Sequence, residues 1–295
     1  MTIPHKLVDQ VAAAVEARGF VNITPAVLSN GANLLIHLAP YPVVARAAKL
    51  RLEEAEATLA REIRVARHLH ICQVPVVQPP DTTLAGPFLA GGTWVTCWEY
   101  VPPAPASPLA PDRAIGLVGD LSSAMASFPE ELPVLGVWDK SHQIIQAMPA
   151  HDDSRISRAL EAYQCVDERM RRFRPEELVP THGDSHARNL LPGPDGWRWT
   201  DFEDVSRMPR YWDYASFVAN LALFRGWEEP FLQAVLNRPV VAADRESFGF
   251  ILRARILMST LCNAALALEG HGDWSFAERQ LELCGGFLRQ VQQRI

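Results

Sequence analysis

Asp184, Asn189 and Asp201 set two carboxylates and an amide at intervals that suit metal binding and proton transfer. Asn189 is followed by Leu190 and Leu191 and then by Pro192, Gly193, Pro194, Asp195 and Gly196, a dense turn signal. After it Trp197 and Trp199 alternate with polar residues as a short strand does. The expected hairpin brings Asp201 back beside Asn189. An oxygen pair from an asparagine and an aspartate suits Mg²⁺, a hard cation that keeps several waters and takes substrate phosphates as further ligands. Asp184 lies five positions before Asn189, across a loop short enough to stay within one site, and is left free to act as a base.

Composition frames the rest of the chain. Its 295 residues, 48% of them hydrophobic, suffice for one large core or two medium ones. With 21% charged residues and a net charge of −6, the chain offers no counter-charge to nucleic acid or to an anionic membrane, so small molecules are the expected partners. The oligomeric state is not set by the sequence. Cys72, Cys97, Cys165, Cys262 and Cys284 are scattered without a paired spacing, which frames neither a disulfide scaffold nor a zinc site and fits a reducing cytoplasm. A basic stretch followed by an apolar run is missing at the N-terminus, and no segment reaches about 18 uninterrupted apolar residues, so neither export nor a membrane span is expected. Residues 101–111 hold five prolines, Pro102, Pro103, Pro105, Pro108 and Pro111, and read as a semi-rigid connector. Strands and one helix precede it; helical patterns dominate after it.

The order His182-Gly183-Asp184, then Asn189, then Asp201 beyond a hairpin resembles the signature of the aminoglycoside phosphotransferase family, the small-molecule branch of the protein-kinase-like fold. The resemblance covers most of residues 20–225, is strongest at 181–215 and fades in the C-terminal helices. It implies an α+β, protein-kinase-like, two-lobed fold: a small β-rich N-lobe (1–101), a Pro-rich interlobe connector (102–111) and a larger, mainly helical C-lobe (112–295). It also implies transfer of the γ-phosphoryl group of ATP or GTP, with Mg²⁺, to a hydroxyl of a small-molecule acceptor such as an antibiotic, an amino alcohol or a sugar. Asp184 then takes the part of the catalytic base, Asn189 and Asp201 that of the metal ligands, and His182 that of a brace for the loop. In kinases positioning and charge neutralisation do most of the work. Where the family often carries Pro-Gly, this chain has Ala187-Arg188.

Under the same resemblance the first hundred residues read as the small lobe. Residues 23–28, the turn Ser29-Asn30-Gly31-Ala32-Asn33 and residues 34–38 form strand, turn and strand, as kinases lay a backbone-rich turn over nucleotide phosphates. Val43, Val44, Ala45 and Arg46 read as the third strand, with Arg46 where kinases carry a phosphate-contacting lysine. A planar fork is not a point charge, although its bidentate grip on phosphate is chemically sound. Lys49 is the alternative contact, at opposite parity on a strand. Leu52, Ala55, Leu59, Ile63, Ala66 and Leu69 recur at helical spacing, with Glu53, Glu54, Glu56 and Arg61 largely off that stripe. Glu62, one position from the stripe, is placed to pair with Arg46 as the kinase helix glutamate pairs with the strand lysine. Residues 93–101 read as a strand entering the connector. By analogy Trp98 takes the gatekeeper place, Glu99 offers its carbonyl to the nucleotide base, and Val101 offers its amide and carbonyl.

Other residues read more plainly. His186 is expected to face solvent from its loop, and Arg188 to be a solvated charge rather than a phosphate contact. His68, His70 and Cys72 lack a fourth ligand for a metal. The family commonly places an aspartate at the position of Asp213, at the start of a helix, to accept hydrogen bonds from the catalytic loop. Glu203, Asp204, Glu228 and Glu229 would suit a cationic acceptor if they formed one acidic wall, and Trp227 would suit a sugar if it were free to stack. Two rival readings remain. A nucleotide-binding pseudokinase acting as an interaction module is encouraged by Arg46 alone. A dinuclear metallophosphatase would use Gly183-Asp184-Ser185-His186 but needs further ligand clusters, which Gly270-His271-Gly272-Asp273 alone does not supply.

Overall fold

Alternating apolar residues build a sheet in the first third of the chain, in a computed structural model that describes residues 5–31, 33–48, 52–104 and 108–295. Ala32, Lys49 and residues 105–107 of the Pro-rich segment lie outside the described residues, as do the side chains of Leu52, Glu53 and Glu54. In chain order the elements are α1 (His5–Glu16), β1 (Thr24–Asn30), β2 (Leu34–Ala39), β3 (Val43–Ala47), α2 (Leu52–Ile71), β4 (Phe88–Ala90) and β5 (Thr93–Glu99). Then come α3 (Pro111–Met125), α4 (Gly136–Gln146), α5 (Ser154–Met170), β6 (Leu178–Thr181), β7 (Leu190–Gly193), β8 (Gly196–Trp199) and β9 (Ser206–Pro209). The chain ends with α6 (Trp212–Arg225), α7 (Pro230–Leu236), α8 (Pro239–Ala242), α9 (Arg245–Leu268) and α10 (Trp274–Arg294).

Internal contacts group Met1–Ser107 with Arg188–Glu203 as one unit, and Pro108–Ala187 with Asp204–Ile295 as another. In the first unit the strands form an antiparallel sheet of order β1-β2-β3-β5-β4. Leu34, Ile36 and Leu38 of β2 point to one face by the two-residue period and are buried with Val95 and Cys97 of β5. Val8, Val11 and Val15, at helical spacing on α1, complete that core. The sheet register sets Arg46 opposite Leu35 on one side and Thr96 on the other, which fixes where its side chain emerges. The helix expected over residues 52–69 is α2, with Ala55, Leu59, Ile63, Ala66 and Leu69 buried on the anticipated stripe. The expected hairpin is β7–β8, paired from Leu190↔Trp199 to Gly193↔Gly196. Trp199, fully buried, donates its backbone N–H to Pro75 O and accepts from Val77 N, which pins the hairpin within this unit.

The second unit is helical around α9. Phe248, Leu252, Ala254, Ile256, Leu257 and Leu261 are fully buried there, and α9 packs against α10, α6, α5 and α4. Among the described residues α9 alone is long and apolar enough to cross a membrane by composition, and 67% of its most apolar window is buried in protein, as befits a core helix. A short antiparallel pair, β6 with β9, runs from Leu178↔Pro209 to Thr181↔Ser206 and delivers the loop that follows Thr181.

Candidate active site

A cavity of about 360 Å³ opens in the first unit. Leu28, Leu35, Val44, Val77, Trp98 and Leu191 give it apolar walls, and Ser29, Arg46, Glu62, Asn189, Thr200 and Asp201 give it a polar part. Glu99, Tyr100 and Val101 also line it. Residues singled out by sequence thus share one cavity, among them Ser29, Arg46, Glu62, Trp98, Glu99, Val101, Asn189 and Asp201. Asn30 and Gly31 are not among its lining residues. A Cβ added to Gly31 would meet only Ser29 Oγ, at an ordinary 3.8 Å, so the turn itself does not demand a glycine there. The side chain of Glu99 turns to Arg198, and the indole N–H of Trp98 donates to Thr96 Oγ1 at 3.0 Å. Thr200 N donates to Asn189 O at 3.0 Å, which ties the two ends of the hairpin.

Arg46 is the hub of the polar part. Its Nη1 donates to both oxygens of Glu62, at 2.6 and 2.5 Å, and its Nη2 meets Asp201 Oδ1 at 3.1 Å and Glu203 Oε2. With its amide oxygen turned toward the guanidinium, Asn33 accepts from Nη2 at 2.8 Å and Nε at 3.0 Å. One cation therefore faces three carboxylates. Burial pushes the Glu62 carboxyl up to about 7, against the pull of Arg46 and with Asp201 and Glu203 adding to the rise. Burial disfavours the Arg46 charge too, but the three carboxylates outweigh it and hold this guanidinium above the ordinary arginine value. Phe202 N donates to Glu62 Oε1 at 3.0 Å, so the backbone next to Asp201 is fixed to α2.

In the second unit the loop after β6 is held by a buried aspartate. Asp213, in the first turn of α6, accepts from His182 N at 3.2 Å, Gly183 N at 3.3 Å and Ser185 Oγ at 3.2 Å. Burial raises the Asp213 pKa, while His182, Gly183 and Ser185 oppose the rise. His182 is fully buried, and its Nδ1 accepts from Asp184 N at 3.4 Å. Gly183 has φ +87°, and a Cβ there would sit 2.1 Å from the carbonyl oxygen of Asp204, so no other residue fits. Its own carbonyl accepts from Trp212 Nε1 at 2.7 Å.

This loop presents Asp184 to two cationic or titratable partners. Arg255 of α9 donates through Nη2 to Asp184 Oδ1, while its Nε donates to Ser216 Oγ at 3.0 Å. His186 Nε2 lies 3.4 Å from Asp184 Oδ2. Burial would raise the Asp184 pKa, but Arg255, His186 and His182 together hold it below the usual carboxylate value. His186, expected to face solvent, keeps a third of its side chain exposed but lies beside Asp184, because its backbone N–H bonds Asp184 O at 2.8 Å and folds the loop back.

Arg255 escapes a motif reading, and Asn33 and Ser185, each inside a motif, carry contacts that the motif did not assign. The signal for Arg255 is its place in an apolar helix, where a charge is buried only when paired. The acidic wall does not form. Glu203 is spent on Arg46, Asp204 on Lys140 at 2.7 Å, Glu228 on Arg294 at 3.3 Å, and Glu229 caps α7 by accepting from Leu232 N. Trp227 lies under the Arg294 guanidinium rather than open to a sugar. Asp273 caps α10 by accepting from Phe276 N at 3.2 Å, a structural use of the second Gly-Asp element.

A sequence model described as the phosphotransferase enzyme family (APH) matches residues 33–250. The chain belongs to that family. No curated protein matches this phosphotransferase-family chain in sequence. Solved structures share its fold over nearly the full length. Choline kinase LicA from Streptococcus pneumoniae is 11% identical, with TM-score 0.66, covering 96% of this chain and 98% of its own. The amicoumacin kinase hAmiN, solved in complex with AMP-PNP, Ca²⁺ and Ami, is 12% identical, with TM-score 0.68 and coverage of 99% and 96%. Aminoglycoside 2'-phosphotransferase-IIIa, solved with GDP, is 15% identical, with TM-score 0.61 and coverage of 96% and 99%. The phosphotransferase-family chain thus has the α+β, kinase-like fold of these proteins: a small antiparallel sheet with its helices, and a larger helical part.

Proposed function

We propose that this chain is a small-molecule kinase that transfers the γ-phosphoryl group of ATP or GTP to a hydroxyl. The observation that carries the reading is the cavity of the first unit, where apolar walls meet Asn189 and the carboxylate of Asp201, one of three that face Arg46. Residues 1–101 serve the donor, residues 112–295 carry the acceptor site, and residues 102–111 connect them. Ser29, Asn30 and Gly31 lie over the donor phosphates, while the Glu99 carbonyl and Val101 backbone meet its base. Related folds hold AMP-PNP or GDP, which supports either nucleotide as donor.

Asn189 and Asp201 would hold Mg²⁺, and the charge count fits: three carboxylates around one guanidinium favour a divalent cation. When bound, the ion neutralises charge on the donor phosphates. Asp184 takes the proton of the acceptor hydroxyl. The acceptor oxygen then bonds to the γ-phosphorus as the bond to the β-phosphate oxygen breaks, leaving the nucleoside diphosphate. A carboxylate base must be ionised to do this, and Arg255, His186 and His182 favour that state. His182 and Asp213 act through the loop backbone and touch no substrate. The five free cysteines agree with a reducing, cytoplasmic setting.

The test is calorimetric titration of ATP and GTP with and without Mg²⁺ on the wild type, followed by incubation with a panel of hydroxyl compounds. Mg²⁺-dependent nucleotide binding with turnover on one compound is the expected result. Binding without turnover on any compound would favour the pseudokinase, and tight binding of two transition metals without nucleotide would favour the phosphatase.

A further inference from the structure

Arg46 occupies the place of the phosphate-contacting lysine, yet its donors are already taken. Nη1 serves Glu62, Nη2 serves Asp201 and Glu203, and Nε is set against Asn33. A guanidinium so enclosed has no N–H left for a phosphate oxygen. Among the described residues lining the cavity one other cation remains, Arg188. Its side chain is exposed, and no hydrogen bond or ion pair engages it among the described residues. It immediately precedes Asn189 in the single turn Ala187–Asn189, whose end is tied to the hairpin by the Thr200 N to Asn189 O bond. Asn189 and Asp201 line the same cavity.

Around Arg46 the carboxylates Glu62, Asp201 and Glu203 outnumber the guanidinium, so Arg46 has little positive charge to offer an entering polyphosphate. Glu99 is neutralised by Arg198, whereas Arg46 faces three carboxylates at once. An exposed guanidinium lining such a cavity has the charge and the planar fork to take phosphate oxygens in pairs.

We propose that Arg188 grips the terminal phosphates of the donor nucleotide in place of Arg46. The proposal rests on the kinase reading above. It links two departures of this chain from the family pattern: an arginine stands where a lysine would contact phosphate, and a second arginine stands where a glycine is common. The first has been absorbed into a carboxylate cage, and the second supplies the contact so lost.

Calorimetry on the full chain with Mg²⁺ tests it, using wild type, Arg188→Ala and Arg188→Lys. The ligands are a nucleoside, its diphosphate and its non-hydrolysable triphosphate, in adenine and guanine series. Arg188→Ala is expected to weaken the triphosphate by about tenfold or more, the size of a lost charge-assisted hydrogen bond. The diphosphate should weaken less and the nucleoside not at all, with Arg188→Lys between wild type and alanine. Equal weakening across the series would make Arg188 a wall of the cavity, and no change anywhere would make it a solvated charge; either result overturns the proposal. A wild type that binds neither series overturns the kinase reading itself and this proposal with it, which a binding wild type and an unaffected Arg188→Ala would not do.

Discussion

Two arginines in this chain each hold carboxylates, and the ratio separates them. Arg46, in the first unit, faces Glu62, Asp201 and Glu203. Arg255, in the second, meets one carboxylate among the described residues, Asp184. Where acid outnumbers base, burial and mutual repulsion push the Glu62 carboxyl up to about 7. Where the two are matched, burial's upward push is beaten and the Asp184 carboxyl goes down. The Glu62 side chain is almost fully buried and that of Asp184 about a quarter exposed, so burial and stoichiometry act together: burial is the larger push on Glu62, and the two further carboxylates add to it. A surplus of carboxylate is a site completed by a cation. A matched pair is set before any ligand arrives, as a base that must already be ionised requires.

The strongest way to break this comparison is Asp184→Asn. If the matched cluster supplies the base, phosphoryl transfer should fall by about a thousandfold, within the usual range for a general base, with nucleotide affinity unchanged. Steady-state kinetics beside calorimetry decide it, and a mutant that loses nucleotide affinity instead would put Asp184 in the wrong role. Asp201→Ala probes the other cluster. It removes a proposed direct ligand, so the Mg²⁺-dependent part of nucleotide binding should vanish, a loss of more than about 100-fold in metal affinity. An Asp201→Ala protein whose binding still responds to Mg²⁺ would end the claim that the surplus awaits a cation.

Next in size is Arg255→Met, which leaves Asp184 with His186 and His182 as its nearest partners. Breaking the pair should cost about 1–3 kcal/mol in thermal unfolding. Without the arginine the Asp184 pKa rises, so the acidic limb of the rate profile should move to higher pH. A stability loss with an unmoved limb would reduce Arg255 to packing.

How far these clusters could be read from sequence follows the range of the forces involved. The hairpin and α2 are legible because turn residues and helical or strand periodicity act over a few positions; periodicity placed Glu62 beside the buried stripe, while its pairing with Arg46 came from the family resemblance. Gly183 and Asp213 are legible for a different reason, since a left-handed turn and a loop-holding acid belong to a motif. Arg255 and Glu203 are not, because their partners lie 71 and 157 positions away and no local pattern marks such pairings. The same limit misplaced His186, whose surroundings come from the folding of its own loop, and the acidic wall, whose members each found a separate partner. Helix α1 slips past a search for chemistry because its Val8, Val11 and Val15 do nothing except cover the sheet.

Glu62→Gln sharpens the comparison through pH. An acid whose folded pKa is raised stays protonated in the native state while the unfolded chain has already ionised. Between about pH 4.5 and 7 the folded state therefore binds more protons, and wild-type stability should fall as pH rises, then level off above the folded value. The steepest slope one such group gives is about 1.4 kcal/mol per pH unit. Glu62→Gln should abolish that slope in urea titrations. Asp184 has the opposite sign: its folded pKa is lowered, so its contribution is present above the unfolded value and is lost only as pH falls below about 3.8. A Glu62→Gln protein with the wild-type slope would mean the carboxylate surplus is not felt at α2.

The smallest effect expected is at Ser185, and it asks whether the loop holding Asp184 is over-determined. Ser185 Oγ lies 3.2 Å from Asp213 Oδ1 and 2.9 Å from Asp213 O, but one hydroxyl has one proton to give. Ser185→Ala leaves Asp213 with the backbone N–H groups of His182 and Gly183, and Gly183 is still held by Trp212 Nε1. The loss should be about 1 kcal/mol in unfolding, with kcat lowered less than about tenfold, since two donors still hold the same carboxylate. A collapse of kcat approaching that of Asp184→Asn, at unchanged stability, would show that the matched cluster is not set in advance and that the hydroxyl itself orients the base. Such a result would leave the charge difference between the two arginines intact but remove the preorganisation drawn from it.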